Sequence, residues 1–455
     1  MKKKELENIK TLVNKTGPGF CPAKWYNSTI WLSNGRTASC HHPEAHYIPP
    51  REVFKDPSAL HNTEFKKQRR KEMLEGKRPT ECTYCWAVED ADPDALSDRV
   101  FKSSIYTKEE IAEITQMGWD ENVNPKTLEI SFDNLCNLSC SYCNAEFSST
   151  WSNDIKKNGI YEGMKTGGGQ TYQNDGDHAY SFGLKGSDGN LFTKAFFKWF
   201  DNGLKEDLQE LRVTGGEPTR SPDFWKLVDR CEGSNFNFAI NSNLIMGKDR
   251  MDKLLDASKK FKVFDLYTSC ESSGKHSELI RHGFEYDTWK ANLRRFAKEG
   301  EYRHISIMMT ISSLTLFSIT DFLDDMIDLK REFSNKALFH MTLNILRFPS
   351  FQSVTLLPDY IKQERIEHFT NWLETFGSFL TDSEKSHVQR LIGYLEKIER
   401  APEDSDSELD KRGDFVKFFK SYTTRRNIDI VDVIDDDNFT KWWGEMNDEL
   451  EKTSK

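Results

Sequence analysis

The sequence predicts an α/β fold built on parallel strands, with a small cysteine-rich α+β domain before it and a helical extension after it. Three observations carry this. From residue 127 onward strand-like and helix-like patterns alternate, as they do in parallel β units joined by crossover helices. Seven of the 9 cysteines fall into two sets, one in the first hundred residues and one directly after the first predicted strand. Beyond residue 358 the patterns are helical and polar. At 455 residues the chain exceeds what one hydrophobic core usually covers, so the expected domains are 1–118, 119–357 and 358–455.

In chain order, IWLSNGRTASC reads as two short strands around an Asn34-Gly35 turn. Such a hairpin can carry Cys40 toward Cys21 in FCPAKW and toward Cys82 and Cys85 in ECTYCW. His41 and His42 beside the turn read as surface residues. The basic run FKKQRRKEMLEGKRP, with Phe65, Met73 and Leu74 interleaved, fits a helix with one solvated cationic face. KEEIAEITQMG is a short helix in a connector that ends near Pro125. The first parallel strand is Leu128 to Phe132, followed by a cysteine loop and a helix begun by NAEFSSTW. Residues 158–189 hold many glycines and few aliphatics, which predicts a mobile loop or lid.

The amphipathic run LFTKAFFKWFDNGL leads to the second strand, Leu208 to Thr214. It ends in Gly215, Gly216, Glu217 and Pro218, where two glycines let the backbone turn tightly and approach a ligand. A helix from Asp223 to Cys231 follows, capped by Ser221. Further strands are expected at 236–241, 264–269, 304–311 and 337–345. In the last third APEDSDSELDKRG interrupts the helices, and FVKFFKSYTTRRNIDIVDVI is expected to pack back on the parallel strands. The acidic run Asp435, Asp436 and Asp437 reads as solvated.

Composition narrows the function classes. A net charge of -10 and a pI near 5.7 argue against a general polyanion-binding surface. The start, MKKKELENIK, has charge but no apolar core of a signal peptide, and no apolar run reaches bilayer length. A cytoplasmic protein with no membrane role is expected, and its ligand-like cysteine spacings suit reduced thiols better than disulfides. Only Cys231 and Cys270 stand apart.

The chemistry centres on Cys136, Cys140 and Cys143 in LEISFDNLCNLSCSYCNAEF. Thiolates at these spacings can line one side of a compact loop, and iron and zinc both accept them. No further Cys or His follows within the next thirty residues, so a fourth coordination position stays open. With Tyr142, the three cysteines resemble the CxxxCxΦC signature of the radical S-adenosylmethionine (SAM) superfamily, in which Φ is aromatic and lies near the adenine. The resemblance implies a partial (β/α)6 TIM-like barrel over the parallel strands. It implies a [4Fe-4S] cluster on the three cysteines and SAM chelated to the remaining iron, and it marks Gly215, Gly216 and Glu217 as the GGEP segment near the SAM amino group. By position it makes Ser269 and Glu271 candidates for the ribose hydroxyls and Arg281 a candidate for the SAM carboxylate. The glycine-containing fifth-strand pattern of many relatives is missing here, which leaves the adenine contacts unassigned.

Cys21, Cys40, Cys82 and Cys85 resemble the twitch and SPASM auxiliary-cluster modules of the same superfamily, here ahead of the barrel rather than behind it. An auxiliary [4Fe-4S] cluster is the expectation, with structural zinc as the alternative, because four cysteines do not select the metal. The implied activity is reductive SAM cleavage to a 5′-deoxyadenosyl radical and hydrogen abstraction from a peptide or small metabolite. An external donor of flavodoxin or ferredoxin type would supply the electron. Two other readings stand beside it: a non-catalytic iron-sulfur electron carrier or redox-responsive protein, and an RNA-modifying radical SAM enzyme that binds RNA through residues 66–78.

Overall fold

Period-two alternation of apolar residues places the strands where the sequence puts them. In the computed structural model, which describes residues 3–92, 94–176, 189–333, 339–400 and 404–453, the strands run β1 (Asn27–Trp31), β2 (Arg36–Ala38), β3 (His46–Tyr47), β4 (Thr127–Ser131), β5 (Ser139–Cys140), β6 (Glu210–Thr214), β7 (Asn237–Ser242), β8 (Phe264–Ser269), β9 (Arg281–His282), β10 (His304–Ile311) and β11 (Phe339–Ile345). The start expected for the last strand, at 337, lies outside the described residues. The chain forms two compact units.

The first unit comprises Met1–Asp133, Ala179–Gly215 and Lys226–Phe238. Its hairpin forms as expected, with Trp31 opposite Arg36 and Thr29 opposite Ala38. β1 also pairs in parallel with β4, and β4 with β6, so the cysteine-bearing hairpin extends the parallel strands. No local pattern announces that pairing. Val13, Phe20, Trp25, Met73 and Ile111 form a core beneath it.

The basic helix, Glu64–Leu74, corrects the sequence reading. Lys66, Arg70 and Met73 share its buried face at 1 %, 0 % and 0 % exposure, while Phe65 is exposed. Met73 marks the buried face correctly, but the sequence gives no sign that Lys66 and Arg70 share it or that Phe65 does not. The long cationic side chains are buried because each finds hydrogen-bond acceptors inside.

The second unit comprises Asn134–His178, Gly216–Trp225 and Ala239–Lys455. Within it β7, β8, β10 and β11 follow one another in order, with β10 parallel to both β8 and β11. Ile305, Ile307, Met309 and Ile311 are buried at alternate positions. The helix Tyr286–Glu299 covers these strands, its Trp289 donating to Thr268 and its Phe296 packing against Phe264.

The glycine-rich segment is a second correction. Its described part, up to residue 176, is folded: Tyr161, Met164 and Tyr172 are buried, and Asp414 accepts from the Lys165 and Thr166 amides. Aromatic rings supply the burial that aliphatics do not, since Trp151, Tyr161, Tyr172 and Phe418 pack together. Residues 177–188 of the expected lid lie outside the described residues.

The helix Glu408–Arg426 packs back on the strand-bearing part of this unit, as expected. Among the acidic run, Asp436 is not simply solvated; it pairs with Arg365 at 2.7 Å and caps the last helix through the Phe439 amide. Among the described residues no helix is long and apolar enough to cross a membrane.

Candidate functional site

Cys136, Cys140 and Cys143 lie on one loop of the second unit, and several of its carbonyls are held by side chains from distant segments. Cys140 pairs with Arg281 in the short β5–β9 ladder. Trp151 Nε1 donates to the Cys140 carbonyl at 2.9 Å, Tyr422 Oη to the Ser139 carbonyl at 3.0 Å, and Tyr172 Oη and Gln352 Nε2 to the Ser141 carbonyl. The Cys136 carbonyl accepts from Ser149 and Thr150. Such bonds immobilise the thiols before any ligand arrives. None of the bracing residues Trp151, Tyr172, Gln352 or Tyr422 was visible as a site residue, because each acts from a distant segment.

The three thiols suit an anionic soft-metal cluster. Burial pushes Cys136 up to about 12 and Cys140 up to about 11, and raises Cys143 further; neighbouring thiolates add to the shifts of Cys136 and Cys143, while Arg281 opposes that of Cys140. Without metal they are therefore protonated at neutral pH, and a bound cation must displace those protons. The Arg281 guanidinium, 3.9 Å from Cys140 Sγ, is a fixed positive charge beside that ligand.

Glu271 and Arg281, expected on either end of a ligand, meet each other. Arg281 donates to both carboxylate oxygens, at 2.9 and 2.7 Å, and both side chains are buried. Tyr142 Oη donates to Glu271 at 2.9 Å, and its ring lies 5.5 Å from the guanidinium. Burial holds the phenol well above its ordinary pKa, so it remains a donor. The network Tyr142–Glu271–Arg281–Cys140 thus fixes the aromatic residue of the cysteine motif against the loop.

Glu217 is likewise turned inward. It accepts from Thr219 N and Oγ1, Ser242 Oγ and the Asn243 amide, while its own amide donates to the Leu135 carbonyl. Burial raises its pKa against those donors. Gly215, in the first unit, has φ +130°, a left-handed conformation in which any Cβ is strained. A Cβ on Gly216 would lie 2.5 Å from the Leu135 carbonyl oxygen, at the start of the cysteine loop. Gly216→Ala is expected to displace that backbone, lowering the thermal midpoint by the equivalent of about 1–3 kcal/mol and reducing iron retained after reconstitution. Unchanged iron content and melting would show that the loop yields freely.

Ser269 closes β8, opposite Met308. With Tyr267, Thr310 and Thr342 it belongs to the half-buried alternate positions of the parallel strands. Tyr267, His304 and His340 form a chain of ring contacts along this face, and His304 faces Asp265 at 3.1 Å. The signal was present in the sequence as polar residues at every second position. Buried parallel strands are usually apolar on both faces.

In the first unit, Cys21, Cys40, Cys82 and Cys85 line one pocket, with Arg99 and Lys102 on its wall. Burial pushes Cys21 up to about 12 and Cys85 up to about 11, and the thiolates of the set reinforce one another. By residue type the set offers ligands for either a four-cysteine cluster or zinc, while among the described residues no three such side chains converge as the ligands of a single ion. His42 and Asp98 line the same pocket, with His42 stacked 3.7 Å over Tyr84 and 3.2 Å from Asp98.

Residues 130–326 match the family model described as the radical SAM superfamily. Among solved structures, similar ones include Streptococcus suis SuiB bound to S-adenosylmethionine, at 14% identity over 70% of this chain and 60% of that one, with a TM-score of 0.33. Native anSMEcpe with bound AdoMet follows at 13% identity, over 56% of this chain and 61% of that one, with a TM-score of 0.32. TYW1 with a lysine-pyruvate adduct bound is 16% identical, over 53% of this chain and 70% of that one, with a TM-score of 0.27. The chain thus spans about three fifths of the length of the first two. No curated protein matches it by sequence.

Proposed function

Residues 130–326 being a radical SAM domain, we propose that the protein cleaves SAM reductively and removes a hydrogen atom from a peptide or small-molecule substrate. The observation that carries this is the cysteine loop, whose carbonyls at Ser139, Cys140 and Ser141 accept bonds from four other segments. When bound there, a reduced [4Fe-4S] cluster supplies the electron that splits the sulfonium into methionine and a 5′-deoxyadenosyl radical.

The protein's own residues position and exclude. Cys136, Cys140 and Cys143 are the cluster ligands, and Gly216 lets its backbone close against the Leu135 carbonyl at the start of their loop. Because Glu271 holds Arg281 and Tyr142, these three act on SAM as one preorganised unit rather than as separate ribose and carboxylate contacts. The polar strand face with Tyr267, Ser269 and Thr310 supports a polar substrate. A dehydrogenation, rearrangement or cross-link fits this arrangement, with an external low-potential flavodoxin- or ferredoxin-type donor.

The N-terminal cysteine set, in a module spanning about residues 1–118, is assigned to an auxiliary [4Fe-4S] cluster. The RNA reading loses support, since Lys66 and Arg70 of the basic run are buried. The deciding experiment is anaerobic reconstitution followed by incubation with SAM and dithionite. 5′-Deoxyadenosine supports the enzyme, whereas bound clusters without it would leave an electron carrier. Cys82→Ala is expected to lose about half of the iron while retaining SAM cleavage within about tenfold. Complete loss of 5′-deoxyadenosine would mean that the auxiliary site is needed for the first electron.

A further inference from the structure

The interior beside the four N-terminal cysteines carries more positive charge than its carboxylates balance. Lys24 pairs with Glu81, and Arg99 is bidentate on Glu89. Lys66 and Arg70 are different. The partners of Lys66 Nζ are Ser28 Oγ at 3.1 Å, Thr37 Oγ1 at 3.0 Å, the Ala38 carbonyl at 3.2 Å and His61 Nδ1 at 3.2 Å. Arg70 donates to the Lys24 and Glu121 carbonyls and to Asn62 Oδ1, and its Nη2 lies 3.0 Å from His61 Nε2. His61 Nε2 also lies 2.7 Å from the Trp25 carbonyl, and burial, with Lys66 and Arg70 beside it, holds the imidazole pKa well below the ordinary value, so the ring is neutral. Buried charge without a counter-charge is costly. Burial, with Arg70 and Lys24 beside it, accordingly holds the Lys66 pKa well below its ordinary value, and Glu81 and then the Cys40 thiolate oppose that shift. An anionic group held by the cysteines acts in the same direction as that thiolate and favours the ammonium form.

These cations grip the segments that bear the cysteines. Lys66 binds Ala38, two residues before Cys40; Arg70 binds Lys24, three residues after Cys21; Lys24 in turn binds Glu81, next to Cys82. A [4Fe-4S] core on four cysteinates is dianionic when oxidised and trianionic after taking one electron. Fixed cations stabilise the second form more than the first, and net surrounding charge is a recognised determinant of cluster potential.

We propose that Lys66, supported by Arg70, is the built-in counter-charge of the auxiliary site and raises its reduction potential, setting it up as an electron acceptor. This rests on the auxiliary-cluster reading given above. Lys66 acts through the cluster ligands and is a positioning residue. The full chain carrying Cys136→Ala, Cys140→Ala and Cys143→Ala, reconstituted anaerobically, leaves only the auxiliary site to hold iron. Metal content is counted first, and the midpoint potential is then taken from an EPR-monitored titration. Zinc without iron would overturn the auxiliary-cluster reading itself.

With iron present, Lys66→Met and Lys66→Gln are each expected to lower the reduced-to-oxidised ratio about tenfold at the parent midpoint, a shift of about 59 mV. Lys66→Arg, which keeps the charge, should stay near the parent. Iron retained with an unmoved potential in the neutral variants overturns the counter-charge inference while sparing the cluster reading. Loss of iron from the neutral variants but not from Lys66→Arg supports the inference through retention. Loss from all three assigns Lys66 to shape alone and overturns it.

Discussion

Cys136→Ala is expected to lower 5′-deoxyadenosine formation by more than about 100-fold and to remove the iron held by the central loop, while the fold persists. Fold and chemistry separate cleanly at this position. The Cys136 amide and carbonyl are bonded to Ser149 and Thr150, and alanine preserves both groups. What disappears is one thiolate of three, and two soft ligands cannot hold a cluster that keeps one iron free for SAM. Circular dichroism should match the parent, and product is measured by chromatography after incubation with SAM and dithionite. Persistent product would move the electron source away from this loop and sink the radical mechanism.

Arg281→Leu is expected to destabilise the second unit strongly. It strands Glu271, 1 % exposed, with the Tyr142 hydroxyl as its principal remaining donor. Breaking a buried pair by removing one partner costs about 3–5 kcal/mol, because the other charge stays desolvated. Adding Glu271→Gln removes that charge and should recover most of the loss in thermal midpoint, although not SAM cleavage, since the Cys140 side of the network remains empty. A deficit that is equal in the single and double variants would show that Arg281 matters by packing rather than by charge.

Much of the fold was legible because it is local. The strands at 264–269 and 304–311 appear where the alternation of Phe264 with Leu266, and of Ile305 with Ile307 and Met309, places them. The hairpin formed around its Asn34-Gly35 turn. The cysteine spacing also placed three ligands on one short loop, where neighbours in sequence are neighbours in space. The glycine-rich segment was misread because composition counted aliphatics and overlooked Tyr161 and Tyr172, whose rings fill the same role in packing.

By itself, then, the sequence determined where the main parallel strands lie along the chain, the spacing of Cys136, Cys140 and Cys143, and the turn after β6, each a signal written within a few residues. Tertiary structure alone decided that Arg281 faces Glu271, that Tyr422 braces Ser139, and that Lys66 and Arg70 point inward rather than out. Periodicity states which residues share a face of a helix, but the side that is buried depends on acceptors that arrive from Ser28, Thr37 and Asn62. Those meetings join residues far apart in the chain, and no short-range pattern encodes them.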